Sequence, residues 1–244
     1  MIGIFNKLLG RNIPTIRFAA SHGAYNVSIL AEIKLAEALD MQPLWVKNQR
    51  KYQNNSDKFL NCPGMADLMK TGYIIPAPCN IKIKANRAGT VILLDDPVLT
   101  RALPMNEKLV TGLMAIDESV KFSIHKIHMP WGIFTKPGYS AHILPASFHS
   151  PFLNDLYVYA GTVDYDNFHT CNFIFSAIRE CEIEIPMGTP LLQIIPFKRE
   201  NITGVCMKAS TLDNDKLAHG FPGKVKAAYR KFFHKIKSYT LENK

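Results

Sequence analysis

The sequence predicts an α+β protein, mainly β with helical segments at its two ends, whose β part is an antiparallel sandwich or barrel. Two observations carry that prediction. From residue 73 onward, short runs rich in β-branched and aromatic residues are punctuated by Pro and Gly at fairly regular intervals. At either end, apolar residues recur at helical spacing between charged ones.

The elements follow in order. Residues 1–72 form a mixed helical and loop region. In "NVSILAEIKLAEALDM", Ile29, Leu30, Ile33, Leu35, Ala36 and Leu39 give one broad apolar face, which predicts a helix. The polar, basic stretch "QPLWVKNQRKYQNNSDKF" predicts a loop around one anchored aromatic, Trp45. A short helix begins after Pro63, and the chain turns extended at Tyr73 because Pro76 and Pro78 cannot continue a helix.

Residues 73–205 form the β domain. Its strand candidates are "NIKIKA", "GTVILL", "SVKFSIHKIHM", "GIFTK", "YSAHILP", "LYVYAGTVD", "CNFIFSAI", "CEIEIP" and "PLLQIIPF". In "ECEIEIP" acidic and apolar residues alternate strictly, so one face is wet and the other buried. Residues 206–244 are a linker and a basic amphipathic helix. Val225, Ala228, Tyr229, Phe232, Phe233 and Ile236 fall on one side, and the charge is carried by Lys224, Lys226, Arg230, Lys231, Lys235 and Lys237.

A chain of 244 residues, 47% of them apolar, can bury a substantial core and is not disordered. Of its net charge of +9, residues 224–244 carry +6. The basic character therefore belongs mainly to the tail. The five cysteines, Cys62, Cys79, Cys171, Cys181 and Cys206, form no C-x-x-C pair, which argues for reduced thiols over a disulfide framework or a zinc ribbon. The apolar N-terminus lacks a continuous signal-peptide core and a cleavage site, and no run reaches the length of a membrane span. The expected location is the cytoplasm of a host cell or a virion, without secretion.

Three segments carry a resemblance. "KPGYSAHILPASF" contributes Pro137, Gly138, Tyr139, Ile143, Pro145 and Ser147; "GTVDYDNF" contributes Gly161, Val163, Asp164 and Asp166; "IEIPMGTPLLQIIPF" contributes Gly188 and Gln193. In order and spacing these resemble the central motifs of the dUTPase family, and the resemblance implies a dUTPase-like β-clip. The whole chain also resembles an uncharacterised family of tailed-phage proteins, through Pro43, Trp45 and Lys47, through Cys62, Pro63, Asp67 and Gly72 to Pro76, and through Gly188 to Pro190 and Ile195 to Glu200. That family brings no activity with it.

The dUTPase resemblance implies roles for particular residues. Asp164 matches the carboxylate that orients the attacking water, Ser147 a phosphate-binding serine, and Phe168, one place beyond the expected aromatic, the ring that packs on the sugar. Gln193 would be a further nucleotide contact. Other positions depart from the pattern. Ala146 stands where the family has Arg and Phe148 where it has Gly, "CNIKIKANRAGT" holds no counterpart of the Mg-binding motif, and the glycine-rich C-terminal flap is missing. A triphosphate needs several cationic or amide donors and a metal during cleavage, so most of the clamp is lost. Read from chemistry alone, Asp164 suits a turn-stabilising carboxylate that accepts backbone N–H bonds, and Gln193 a buried amide that staples backbones.

His125 and His128 fall on opposite faces of a strand, and no histidine spacing matches a metal signature. On the tail, Lys224, Arg230, Lys231, Phe232 and Lys235 would engage a protein partner or a phosphate-rich surface, or else the helix docks on its own domain. Two functions stay open at this point. One is a non-catalytic, phage-type β-clip protein without a cofactor, an oligomerisation or binding module associated with the virion and expected as a homotrimer. The other is a divergent nucleotide-binding protein or Mg-dependent nucleoside triphosphate pyrophosphatase that uses Asp164.

Overall fold

The computed structural model describes residues 15–20, 35–41, 43, 45–46, 48, 63–95, 101–104, 121, 123–206, 208, 210 and 239. These residues are mainly antiparallel β, arranged in three sheets. The tail residues Lys224, Arg230, Lys231, Phe232 and Lys235 lie outside them, as do Cys62 and the first part of the expected N-terminal helix.

In the first sheet the long strand β7 (His125–Thr135) is central. Along one of its edges run β1 (Ile16–Ala20) and β6 (Arg101–Pro104), end to end. The other edge pairs with β11 (Thr170–Ala177), which β9 (Leu156–Val158) flanks in turn. The second sheet has the order β10 (Gly161–Val163), β8 (Tyr139–Pro145), β13 (Pro190–Lys198), β3 (Tyr73–Pro76), β2 (Ala36–Glu37). The third places β4 (Ile81–Asn86) between β12 (Cys181–Ile185) and β5 (Gly89–Leu94). One short helix, α1 (Pro63–Leu68), precedes β3.

One apolar cluster joins all three sheets. Ile127, Ile133, Phe173 and Phe175 enter it from the first, Ile75, Ile143 and Leu192 from the second, and Ile81, Ile83 and Ile185 from the third. The alternation expected of "CEIEI" holds in full. Ile183 and Ile185 face Ile83 and Ile81 inside, while Glu182 and Glu184 pair with Lys84 and Lys82 outside at 3.2 and 2.7 Å. Such exposed pairs specify register more than they stabilise.

Three expectations about the strands need correction. Ala36 and Glu37 are strand, not helix: they pair with Ile74 and Tyr73, and a turn follows in which Asp40 N–H donates to Glu37 O at 3.0 Å. The open edge of β3 offers these residues hydrogen bonds that a helix would make only to itself, so Ala38 is buried against Ile74 while Leu39 points to solvent. The two runs expected on either side of Pro130 are one strand, β7. Its register with β11 shifts between Thr170 and Asn172, and β6 ends at His128 where β1 begins at Trp131. Pro130 thus sits where neither neighbour needs its missing N–H. Finally, "LYVYAGTVD" is two strands, β9 and β10, in different sheets.

The back of the second sheet is covered near Gln193. Ala38, Ile74 and Ala146 pack there, with Met41 beside them. Trp45 is anchored as expected, its indole N–H donating to Phe148 O at 3.1 Å, but residues 45, 46 and 48 are helical where the sequence predicts a loop. At the exit from α1, Gly72 has φ +79°, and a Cβ there would lie 2.1 Å from Ile194 O. Only glycine lets β3 enter this sheet at so close an approach.

Candidate functional site

The motif residues meet where β8 begins. Lys136-Pro137-Gly138-Tyr139 is a tight turn closed by Tyr139 N–H to Lys136 O at 3.0 Å, with Pro second and Gly138 third at φ +80°. That is type II geometry, which needs a positive φ at its third residue. The turn launches β8 between β10 and β13, with Val163 opposite Ala141 and Phe197 opposite Ser140. Asp164 therefore follows β10 directly beside Ser140.

Beyond β10 the chain turns on a single oxygen. The N–H groups of Asn167 and Phe168 both donate to the Asp164 carbonyl, each at 2.9 Å. Ser140 Oγ donates to Asp164 Oδ1 at 2.5 Å. Arg199, just past the end of β13, supplies the charge: its Nη1 lies 3.0 Å from Asp164 Oδ1 and 3.0 Å from Asp166 Oδ1, and its Nη2 bonds Asp166 Oδ2. The Gly138 N–H also donates to Asp166 Oδ2, at 3.0 Å, and Arg199 N–H to Gly138 O at 2.8 Å. One guanidinium fork thus ties together the launching turn, the 164–168 turn and the exit of the last strand.

The electrostatics follow from that arrangement. Asp164 is held below the usual carboxylate range by the Ser140 hydroxyl first and Arg199 second. Asp166 is pulled down to about 2, chiefly by Arg199 and then by the Gly138 N–H. Arg199 is raised in turn by the two carboxylates. The group holds two negative charges and one positive, all three already engaged. Asp164 is a weak base in this setting.

Further along the same face, His142 stacks on Phe197 at 4.3 Å and bonds Thr162 Oγ1 through Nδ1 at 2.9 Å. Phe168 is 53% exposed at the end of the turn. Nearby, Phe134 stacks on His169, with ring centroids 4.3 Å apart, and the Arg17 guanidinium lies over the Phe134 ring, 4.6 Å from its centre.

Only part of the expected nucleotide site comes together within one chain. Asp164 and Phe168 share a turn. Ser147 is exposed beyond the far end of β8, seven residues from Ser140, which is roughly 20 Å along a strand. Gln193 is 2% exposed on β13, and its Nε2 donates to Leu68 O at 2.6 Å and to Thr71 O at 2.5 Å. It staples the end of α1 to the sheet, as its chemistry suggests. The turn-stabilising role of Asp164 takes a different form from the expected one. Its carboxylate bonds a hydroxyl and a guanidinium, and the carboxylate that accepts a backbone N–H belongs to Asp166. His125 faces the interior, with Nε2 2.7 Å from Ser123 Oγ, and His128 lies on the opposite side of β7. No group of three or more metal-ligating side chains occurs among the described residues.

Sequence reasoning missed Ser140 and Arg199, 59 residues apart, because only the register of β8 with β13 brings them together. A lone arginine after a strand is an ordinary surface residue until its neighbours are known. No protein-family model matches the chain, and no curated protein sequence matches it.

Proposed function

We propose that the protein is a non-catalytic β-clip module of phage type that works by assembling with copies of itself or by binding a partner, in association with the virion. The observation that carries this reading is the state of Asp164. Ser140 and Arg199 both bond its Oδ1 and hold the carboxyl below its ordinary range, and Arg199 divides its charge between Asp164 and Asp166. A water-activating base needs a proton affinity near the working pH, and a phosphate clamp needs uncommitted cations. Asp164, Asp166 and Arg199 read better as a joint than as a reaction centre.

A second reading, a divergent nucleotide-binding protein or Mg-dependent hydrolase, draws support from the exposed Phe168 ring beside Asp164. In it, Ser147 would meet Asp164 across a subunit boundary. Purified protein incubated with deoxynucleoside triphosphates and Mg²⁺ separates the two. The module reading expects no pyrophosphate release and no thermal stabilisation by any nucleotide, together with an oligomer, a homotrimer in the leading form, by light scattering. Turnover that disappears in Asp164→Asn would replace it with the hydrolase. The assay concerns the body of the protein and leaves the basic tail to separate binding measurements.

A further inference from the structure

The third sheet ends in an edge that its own sequence does not guard. In the order β12, β4, β5, the strand β5 is outermost, and its far side has no backbone partner among the described residues. Its sequence, "GTVILL", holds neither a charge nor a proline, the usual protections of an open edge. Val91 and Leu93 are 56% and 61% exposed on the outer face. Beside them on β4 stand Lys84 and Lys82, which pair with Glu182 and Glu184 of β12. Ile92 and Leu94 turn inward against the common core.

Backbone parity decides what this edge can bond. The Asp95 N–H donates to Asn80 O at 3.3 Å, and in an antiparallel pair such bonded positions alternate with non-bonded ones. Leu93 and Val91 therefore spend their N–H and C=O groups on Lys82 and Lys84, while those of Thr90, Ile92 and Leu94 point away from β4. Ser123 meets Thr90 through the two hydroxyls, at 3.3 Å, and leaves the Thr90 backbone to the edge.

Resting on the assembly reading above, we propose that β5 pairs with β5 of a second copy of this chain, antiparallel about a two-fold axis at Ile92. In that register Ile92 faces the partner's Ile92 and Thr90 the partner's Leu94, and each facing pair exchanges its outward N–H and C=O groups. Val91 then lies opposite the partner's Leu93 in the closer, non-bonded kind of pair, where side chains meet best. The seam is apolar on both faces of the joined sheet. Its charges are compatible as well. Each lysine beside the seam is already paired within its own copy, and Lys84 stands about 14 Å from the partner's Lys82, three strand spacings away and beyond the screening distance at physiological salt. Pairing also sets each hairpin tip, with its exposed Arg87, beside the end of the other β5, next to the partner's Asp95. The axis repeats that attraction at both ends of the seam. An unrelated extended peptide could use the same backbone groups but has no cause to return this reciprocal pattern. One strand pair is small beside a standard interface, so the association depends on concentration.

Sedimentation velocity of the full-length protein over a dilution series tests the seam. Val91→Lys with Leu93→Lys, and Val91→Glu with Leu93→Glu, alter exposed side chains and set like charges opposite one another across the axis. Where the wild type is fully associated, each double variant should show half its mass, and an equimolar mixture of the two should regain it. Variants that keep the wild-type mass overturn the seam, and if that mass exceeds a monomer's, assembly through another surface still stands. A mixture that does not re-associate overturns it too, as do variants of unchanged mass whose urea midpoint falls, the sign that β5 is covered by its own chain. A wild type that is monomeric at every concentration overturns the seam and self-assembly together. Should the variants fail to fold, amide exchange in the wild type decides. The N–H groups of Thr90, Ile92 and Leu94 should be protected at high concentration and lose that protection on dilution, while those of Val91 and Leu93 stay protected. Equal exchange at both concentrations overturns the proposal.

Discussion

Replacing Gln193 by Leu should weaken the protein more than its near-equal volume suggests. The amide nitrogen makes two hydrogen bonds, to Leu68 O and Thr71 O, from a side chain that is almost wholly buried. Losing two such bonds costs about 1 kcal/mol each. The two carbonyls then fare differently. Leu68 O keeps the Thr71 N–H at 3.1 Å, whereas Thr71 O loses the donor that Gln193 brings to it. Stranding one partly buried carbonyl adds up to roughly 1–3 kcal/mol, and the extra apolar contact of Leu returns part of that. The expected loss is about 3 kcal/mol, a fall of roughly 6–12 °C in the melting temperature for a chain of this size. Urea unfolding of the two proteins at pH 7 measures it. Gln193→Glu supplies an internal control: an ionised carboxylate facing two carbonyls is worse than Leu at neutral pH, but once protonated it can donate one bond again, so its deficit should shrink in acid. A loss under about 0.5 kcal/mol for Gln193→Leu, or a Glu variant indifferent to pH, would refute the staple.

Gly72→Ala should cost more than the about 1–2 kcal/mol of a left-handed backbone alone, because its Cβ would overlap Ile194 O at 2.1 Å and push β3 from β13; a denaturation midpoint equal to wild type would contradict the close approach. For Asp166→Asn the expectation is a pH-dependent defect. A carboxyl lowered to about 2 on folding stabilises fully above its ordinary value near 3.8, and the contribution fades as pH falls through about 2. The stability gap between wild type and variant should thus be widest at neutral pH and close in strong acid, and a gap that does not change with pH would exclude the Arg199 pairing.

The β domain was legible where sequence and burial share a period. "CEIEI" shows its alternation to the eye and forms a strand of the third sheet with the predicted inside and outside, and the candidate "NIKIKA" overlaps its partner β4. "YSAHILP" coincides with β8 from Tyr139 to Pro145. What escaped depends on distant partners. Ala36 and Glu37 read as helix because local periodicity cannot register the waiting edge of β3. Arg101–Pro104 gave no signal, since a short strand laid against β7 needs little alternation of its own. At the site, Asp164 and Gln193 were singled out as residue types in suggestive places, and Gly138 only as part of the motif that carries the resemblance. Arg199 and Ser140, which decide what Asp164 can do, were invisible because their meeting is a property of strand order.

That strand order also governs how the molecule can be made. β13 is the middle strand of the second sheet and pairs on one side with β8 and on the other with β3, more than a hundred residues earlier in the chain. A nascent chain that ends before Pro190 has two separate pairs, β10 with β8 and β3 with β2, and nothing to join them. Because closing so long a loop precedes any reward from the contacts it brings, the second sheet assembles late and slowly. Until then the apolar faces of β3 and β8 stand open to other chains, and that interval is when the chain is most exposed to aggregation.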